Sequence, residues 1–163
     1  MSPQLDTKEQ VLMALNEALK TELTAIHQYL LHARMCKNWG YERLSEYNTK
    51  EYTEELAHAE MLIDRILFLR GTPNMTDMFA IEALPTVKAQ LESDVALETD
   101  AITRLNGAIK TATEAADNAS RQLFEKILVD EDHHLDYLEG QLHAINEVGL
   151  DNYLAQQIHK AGE

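Results

Sequence analysis

GTPNMTDMFAIEALPT, residues 71–86, separates two pairs of helical patterns and decides how they connect. Upstream, Leu12, Leu15, Leu19, Ile26 and Tyr29 recur at helical steps. Asp6 or Thr7 is placed to cap the start of this run, and CKNWG, ending at Gly40, to stop it. A second pattern, from about Tyr41 to Arg70, carries Leu44, Tyr47, Leu62, Ile66 and Leu69 on one stripe. Downstream of Pro85 a third has Leu91, Val95, Ile102, Leu105 and Ile109, and ADNAS (116–120) breaks it. The fourth runs through Phe124, Ile127, Leu138 and Ile145 to Gly149, and a short fifth helix is expected from Asn152 to about His159. Pro3, Pro73 and Pro85 all fall outside these runs. The first and third connections are short, so each joins an antiparallel hairpin. The 16 residues of the middle one reach roughly 50 Å when extended, more than the roughly 40 Å length of a helix of about 27 residues. The expectation is an all-α, four-helix bundle with one long crossover, second and third helices parallel, and a short fifth C-terminal helix. Residues 1–163 read as one domain.

Composition narrows the function classes. The chain holds 14 Lys+Arg against 28 Asp+Glu, a formal net charge of −14. Binding phosphates needs a basic surface, so nucleic acid is excluded as a partner. A single cysteine, Cys36, leaves no disulfide framework and no thiolate cluster within one chain. No stretch approaches the roughly 18 apolar residues of a membrane span, and MSPQLDTKEQ (1–10) lacks the layout of a signal peptide. A cytoplasmic protein with no membrane partner is expected.

What interrupts the apolar stripes is more informative. Glu22 fills the step between Leu19 and Ile26, Glu55 and His58 break the second stripe, Glu98 the third, and Glu131 and His134 the fourth. A lone carboxylate in a core costs several kcal/mol unless it is paired or bound to a metal. The spacing says what binds these six together. Glu22 precedes Glu55 by 33 residues, and Glu98 precedes Glu131 by 33. Adding 76 carries Glu22, Glu55 and His58 onto Glu98, Glu131 and His134 without a gap, and also Glu54 onto Asp130 and Leu62 onto Leu138. Each glutamate pair straddles a hairpin turn at about equal distance, so its members share one height in the bundle. A Glu and a His three residues apart face the same way on a helix. One Glu from each of two helices plus Glu-x-x-His from each of the others is the di-iron or di-manganese carboxylate arrangement. Carboxylate oxygens with one imidazole per metal suit iron or manganese; zinc could occupy the site but would do no redox chemistry.

TELTAIHQYLLHARMCKNWG (21–40), EELAHAEMLIDRILFLRGTPN (54–74), DEDHHLDYLEGQL (130–142) and VGLDNYLAQQI (148–158) resemble bacterioferritins, and the resemblance covers nearly the whole chain. It implies a ferritin-like bundle and an iron-storage ferroxidase subunit, oxidising Fe(II) with O2 or H2O2 and storing the mineral in a hollow 24-subunit shell. It further implies that Glu22, Glu55, His58, Glu98, Glu131 and His134 are the catalytic, metal-ligating residues. Glu22 and Glu98 then resemble terminal carboxylates, Glu55 and Glu131 bridging ones, and Tyr29 a hydrogen-bonder or electron donor beside the centre. A ferredoxin-type reductant is an implied partner for iron release. As a residue in itself, Tyr29 reads equally well as an aromatic core residue. A soluble di-iron peroxidase or oxidase that forms no shell is the alternative. One of rubrerythrin type would need a Cys-rich electron-transfer module that Cys36 alone cannot make.

The sequence departs from the family pattern in two places. The Met that ligates a shared haem b in bacterioferritins is replaced by Leu56, so homodimers of this chain are expected to lack that haem. In a mixed shell a Met-bearing, haem-binding subunit would still supply one ligand. Lys50 stands where some relatives have an inner-surface His that binds iron, while Glu54 keeps an acidic group there. His133 points about 100° away from His134 on the helix and reads as a surface or interface residue. His27, His32, His143 and His159 share no ligand spacing and are expected at solvated or interface positions. Cys36 reads as a small buried side chain, Trp39 as an anchor near the first turn, and Met75 and Met78 as packing or interface residues of the crossover.

Overall fold

The computed structural model describes residues 6–160 and Gly162. Residues 1–5, which carry Pro3 and half of the stretch read for a leader, lie outside them. Five helices follow in order: α1 (Thr7–Trp39), α2 (Glu42–Phe68), α3 (Val87–Glu114), α4 (Asn118–Val148) and α5 (Leu150–Ala155). Among the described residues there is no strand, and no helix is long and apolar enough to cross a membrane.

The long helices end where local chemistry stops them. Gly40, Arg70 and Ala116 each turn left-handed, with φ of 85°, 63° and 54°. Behind them Tyr41, Gly71 and Asp117 donate their amides back to Cys36, Ile66 and Ala112 at 2.9 Å, the closing bond of a Schellman stop. The left-handed position after α2 is thus Arg70, not the glycine beside it. Gly71 is small for another reason: a Cβ there would run into the Leu12 side chain. Thr86 Oγ1 caps α3 by accepting from Ala89 N at 3.2 Å, and Asp117 caps α4 by accepting from Ser120 N at 3.0 Å. Asp6 precedes α1 without a side-chain cap bond. The fifth helix is shorter and earlier than its pattern suggested, six residues starting directly after Gly149.

Side-chain pairs fix the directions. Glu98, Asp94 and Gln90 on α3 meet Tyr29, His32 and Cys36 on α1, so these helices are antiparallel. Cys36 meets Asn48 and Glu22 meets His58, so α1 and α2 are antiparallel as well. Helices α2 and α3 are therefore parallel, and the crossover spans the bundle. It is tied along its length: Asn74 N donates to Asn16 Oδ1 at 2.8 Å, Phe79 N to Thr24 Oγ1 at 3.0 Å, and Gln90 Nε2 to Leu84 O at 3.3 Å. The Phe79 ring is covered by Lys20 and Arg104 at 4.3 and 4.6 Å. This is the ferritin-like four-helix bundle.

The core is not continuous. One apolar cluster, around Leu15, Leu19, Ile66, Leu105, Phe124 and Ile127, fills the end at the α3–α4 turn. A second, around Leu44, Val87, Leu91, Leu138, Ile145 and Tyr153, fills the end capped by α5. Between them lies a buried polar layer. Each apolar end holds the four helices in register, and this fixes the side chains in the middle.

Candidate metal centre

Helix α1 contributes Glu22 to the layer, α2 Glu55 and His58, α3 Glu98, and α4 Glu131 and His134. None is more than 5% exposed. The structure brings all six together in two overlapping clusters, Glu22–Glu55–His58–Glu131 and Glu55–Glu98–Glu131–His134, each with its ligand atoms within 4.8 Å of one another. Glu55 and Glu131 belong to both. His58 Nδ1 lies 3.1 Å from Glu55, 3.2 Å from Glu131 and 3.4 Å from Glu22. His134 Nδ1 lies 2.9 Å from Glu131 and 3.2 Å from Glu55. The two rings are 6.4 Å apart and nearly parallel, at 27°. Tyr29 donates its hydroxyl to Glu98.

A donor count tests whether these residues suit a metal pair. An imidazole Nδ1 carries at most one proton, yet each faces two or three carboxylates. Glu55 Oε1 and Glu131 Oε1 are fully buried and accept no hydrogen bond. Buried carboxylate oxygens without donors call for cations, and the four carboxylates and two imidazoles are the donor set that hard divalent iron or manganese takes. In the metal-free fold, protons do the neutralising. Burial, and then the charges of Glu131 and Glu55, push Glu22 and Glu98 well above the carboxylate range. Burial alone would raise Glu55 too, but the adjacent His134 and His58 rings hold it at about 2. Burial would lower both histidines. Their carboxylate partners outweigh it, raising His58 and taking His134 to about 12.

The opposite ring nitrogens are held by the other hairpin. His58 Nε2 lies 3.1 Å from Asp130 of α4, and His134 Nε2 lies 3.1 Å from Glu54 and from Glu51 of α2. Glu54 and Asp130 are the pair related by the 76-residue shift. With a metal at Nδ1, such a carboxylate–imidazole contact would hold the ring and its tautomer. A cavity of about 600 Å³, edged by Tyr47, Lys50, Glu54, Lys126, Asp130 and His133, opens onto these Nε2 edges.

One buried polar residue departs from its sequence expectation, and two others were not singled out by the sequence. His32 is not at a solvated or interface position; it is fully buried, with Nδ1 3.0 Å from Asp94, whose other partner is Gln28 at 2.7 Å. Asp94 and Glu51 each sit one turn before a site glutamate, Glu98 and Glu55, and that i−4 spacing was the available signal. The repeat hid them, because the 76-residue shift pairs Glu51 with Ile127 and Asp94 with Ala18. His27, His133, His143 and His159 are exposed. Cys36 is buried and donates to Gln90, its thiol pushed up by burial to about 12. Trp39 packs at the α1–α2 turn against Tyr41, 6.5 Å between ring centroids.

Comparison with known proteins agrees with this geometry. A ferritin-like domain matches residues 12–148. A bacterioferritin of Mycobacterium avium is 42% identical over 151 residues, 93% of this chain and 95% of that protein. The bacterioferritin BfrA of Mycobacterium tuberculosis is 42% identical over 92% of this chain and 94% of its own. One from Brucella melitensis is 38% identical over 88% and 89%. The chain belongs to the bacterioferritin family. This is an iron-storage family, and the buried carboxylate–histidine layer is where iron binding is expected of it.

Proposed function

We propose that the chain is a ferroxidase subunit of an iron-storage shell of 24 subunits, with Glu22, Glu55, His58, Glu98, Glu131 and His134 as its ligands and catalytic residues. The observation that carries this reading is that two clusters share Glu55 and Glu131, so these residues would hold two Fe(II) ions side by side. Two adjacent Fe(II) ions supply two electrons, enough to reduce O2 to H2O2 with two protons, or H2O2 to two waters with two protons. The protein's part is positional. Glu22 and Glu98 each serve one metal, and the buried layer keeps bulk water from the centre. Tyr29, hydrogen-bonded to Glu98, fixes the orientation of that carboxylate.

Leu56 bears on haem. It is 46% exposed on α2 and offers no donor atom, so the residue present does not fit an axial ligand, and a homomeric shell would hold no bis-methionine haem. A mixed shell with a Met-bearing subunit, a ferredoxin-type reductant for iron release and a cytoplasmic location complete the proposal.

The test is to add Fe(II) anaerobically to the purified chain and then admit air. Ferric absorbance should grow well past two irons per chain, in a particle whose native mass is that of 24 chains, with no Soret band. A monomer or dimer that stops at two irons per chain would favour the non-storage di-iron oxidase.

A further inference from the structure

The two halves of the repeat differ outside the ligands. Lys50 precedes Glu54 by four residues, and Lys126, its partner under the 76-residue shift, precedes Asp130 by four. Both line the cavity over the histidines. Lys50 engages: its ammonium lies 3.0 Å from Glu54 and 3.7 Å from Glu51, the two carboxylates that face His134 Nε2. Lys126 turns away and lies 3.3 Å from Met61 Sδ. Asp130 therefore gives its charge to His58, whereas Glu54 divides its charge between an ammonium and His134.

From this asymmetry we infer that the two metal half-sites are unequal and that Lys50 is the positioning residue that sets the affinity of the His134 half-site. The inference rests on the di-metal reading above and deepens it. A carboxylate that accepts fully from the outer imidazole nitrogen makes the inner nitrogen a better ligand. Lys50 sits on the Oε1 atoms of Glu54 and Glu51 while His134 Nε2 faces their Oε2 atoms, so it draws their charge away from the imidazole and adds a positive charge near a site that must take up a dication. Its counterpart makes no ion pair with Asp130, the carboxylate that faces His58.

Anaerobic titration of the full-length, metal-free protein with Co(II), read by its visible bands and by calorimetry, separates these terms. The wild type should fill two equivalents per chain in two resolved steps. Lys50→Gln should tighten the weaker step about three- to tenfold at low ionic strength and leave the tighter one unchanged. Lys126→Gln should move neither, and Asp130→Asn should weaken the tighter step by about tenfold or more. Two equal steps in the wild type, an unmoved second step in Lys50→Gln, or an equal response to Lys126→Gln overturns the inference while leaving the di-metal centre standing. A third equivalent appearing in Lys50→Gln, without tightening of the second, also overturns it, because Lys50 would then block a separate site. No Co(II) uptake by the wild type overturns both the inference and the proposed function.

Discussion

Glu131→Gln should leave the protein unable to hold a metal pair, whereas Glu22→Gln should leave one metal per chain. The difference follows from cluster membership. Glu131 and Glu55 lie in both groups of ligands, and Glu22 in only the one completed by His58. A Gln keeps the volume of the side chain, so the buried layer stays packed, but a neutral amide binds hard cations far more weakly than a carboxylate. The initial rate of Fe(II) oxidation should fall at least about a hundredfold in Glu131→Gln, because the reaction needs two electrons from adjacent metals. Anaerobic equilibrium dialysis with Fe(II) gives the stoichiometry, and stopped-flow ferric absorbance gives the rate. If Glu22→Gln and Glu131→Gln lose metal equally, the shared-carboxylate geometry is not what holds the pair.

The pH dependence of stability should change sign when metal binds. Without metal, Glu22 and Glu98 are held above their ordinary value of 4.5, first by burial and then by Glu131 and Glu55. His58 and His134 are raised above 6.5, His134 to about 12. All four groups bind protons more tightly folded than unfolded, so the folded state carries more protons and stability falls as pH rises. For the two glutamates the loss begins above 4.5, and for the two histidines above 6.5. Glu55, held at about 2, works in the opposite sense. Its contribution is complete above 4.5 and is lost as pH falls from there to about 2, so it does not alter the trend between about pH 5 and 9. A divalent metal needs these same groups deprotonated, so its binding tightens with pH, and it stabilises the fold in proportion. Thermal melts at about pH 5.5 and 8.5, with and without Mn(II), read both slopes. The metal-free midpoint should drop by about 5 °C on going to the higher pH, and the Mn(II)-loaded midpoint should rise. Parallel slopes would show that the buried layer does not exchange protons for metal.

Much of the fold could be read from the amino-acid sequence because its signals are long and local. Apolar stripes of about thirty residues, sparse glycine and proline, and one 16-residue gap left few ways to join four helices. The six candidate site residues were legible for a different reason: polar groups on an apolar stripe are conspicuous, and their 33- and 76-residue spacings register them across the bundle. The remaining features depend on contacts between helices. Asp94 and Glu51 lie on stripes already broken by glutamates, and only the packing shows them buried beside His32 and His134. Glu54 and Asp130 were visible as a repeated pair, but their crossed contacts with the opposite histidine arise from the antiparallel packing of α2 on α4. The α5 boundary differed because Gly149, in an open conformation at φ 82° and ψ 151°, lets a new helix start at the next residue.

The most direct test of the paired centre is anomalous scattering from crystals loaded with Fe(II) in the absence of oxygen. Two iron peaks per chain are expected, about 3.5–4 Å apart. One should lie among Glu22, Glu55, His58 and Glu131, and the other among Glu55, Glu98, Glu131 and His134. A single peak, or iron bound only outside this buried layer, would contradict the account.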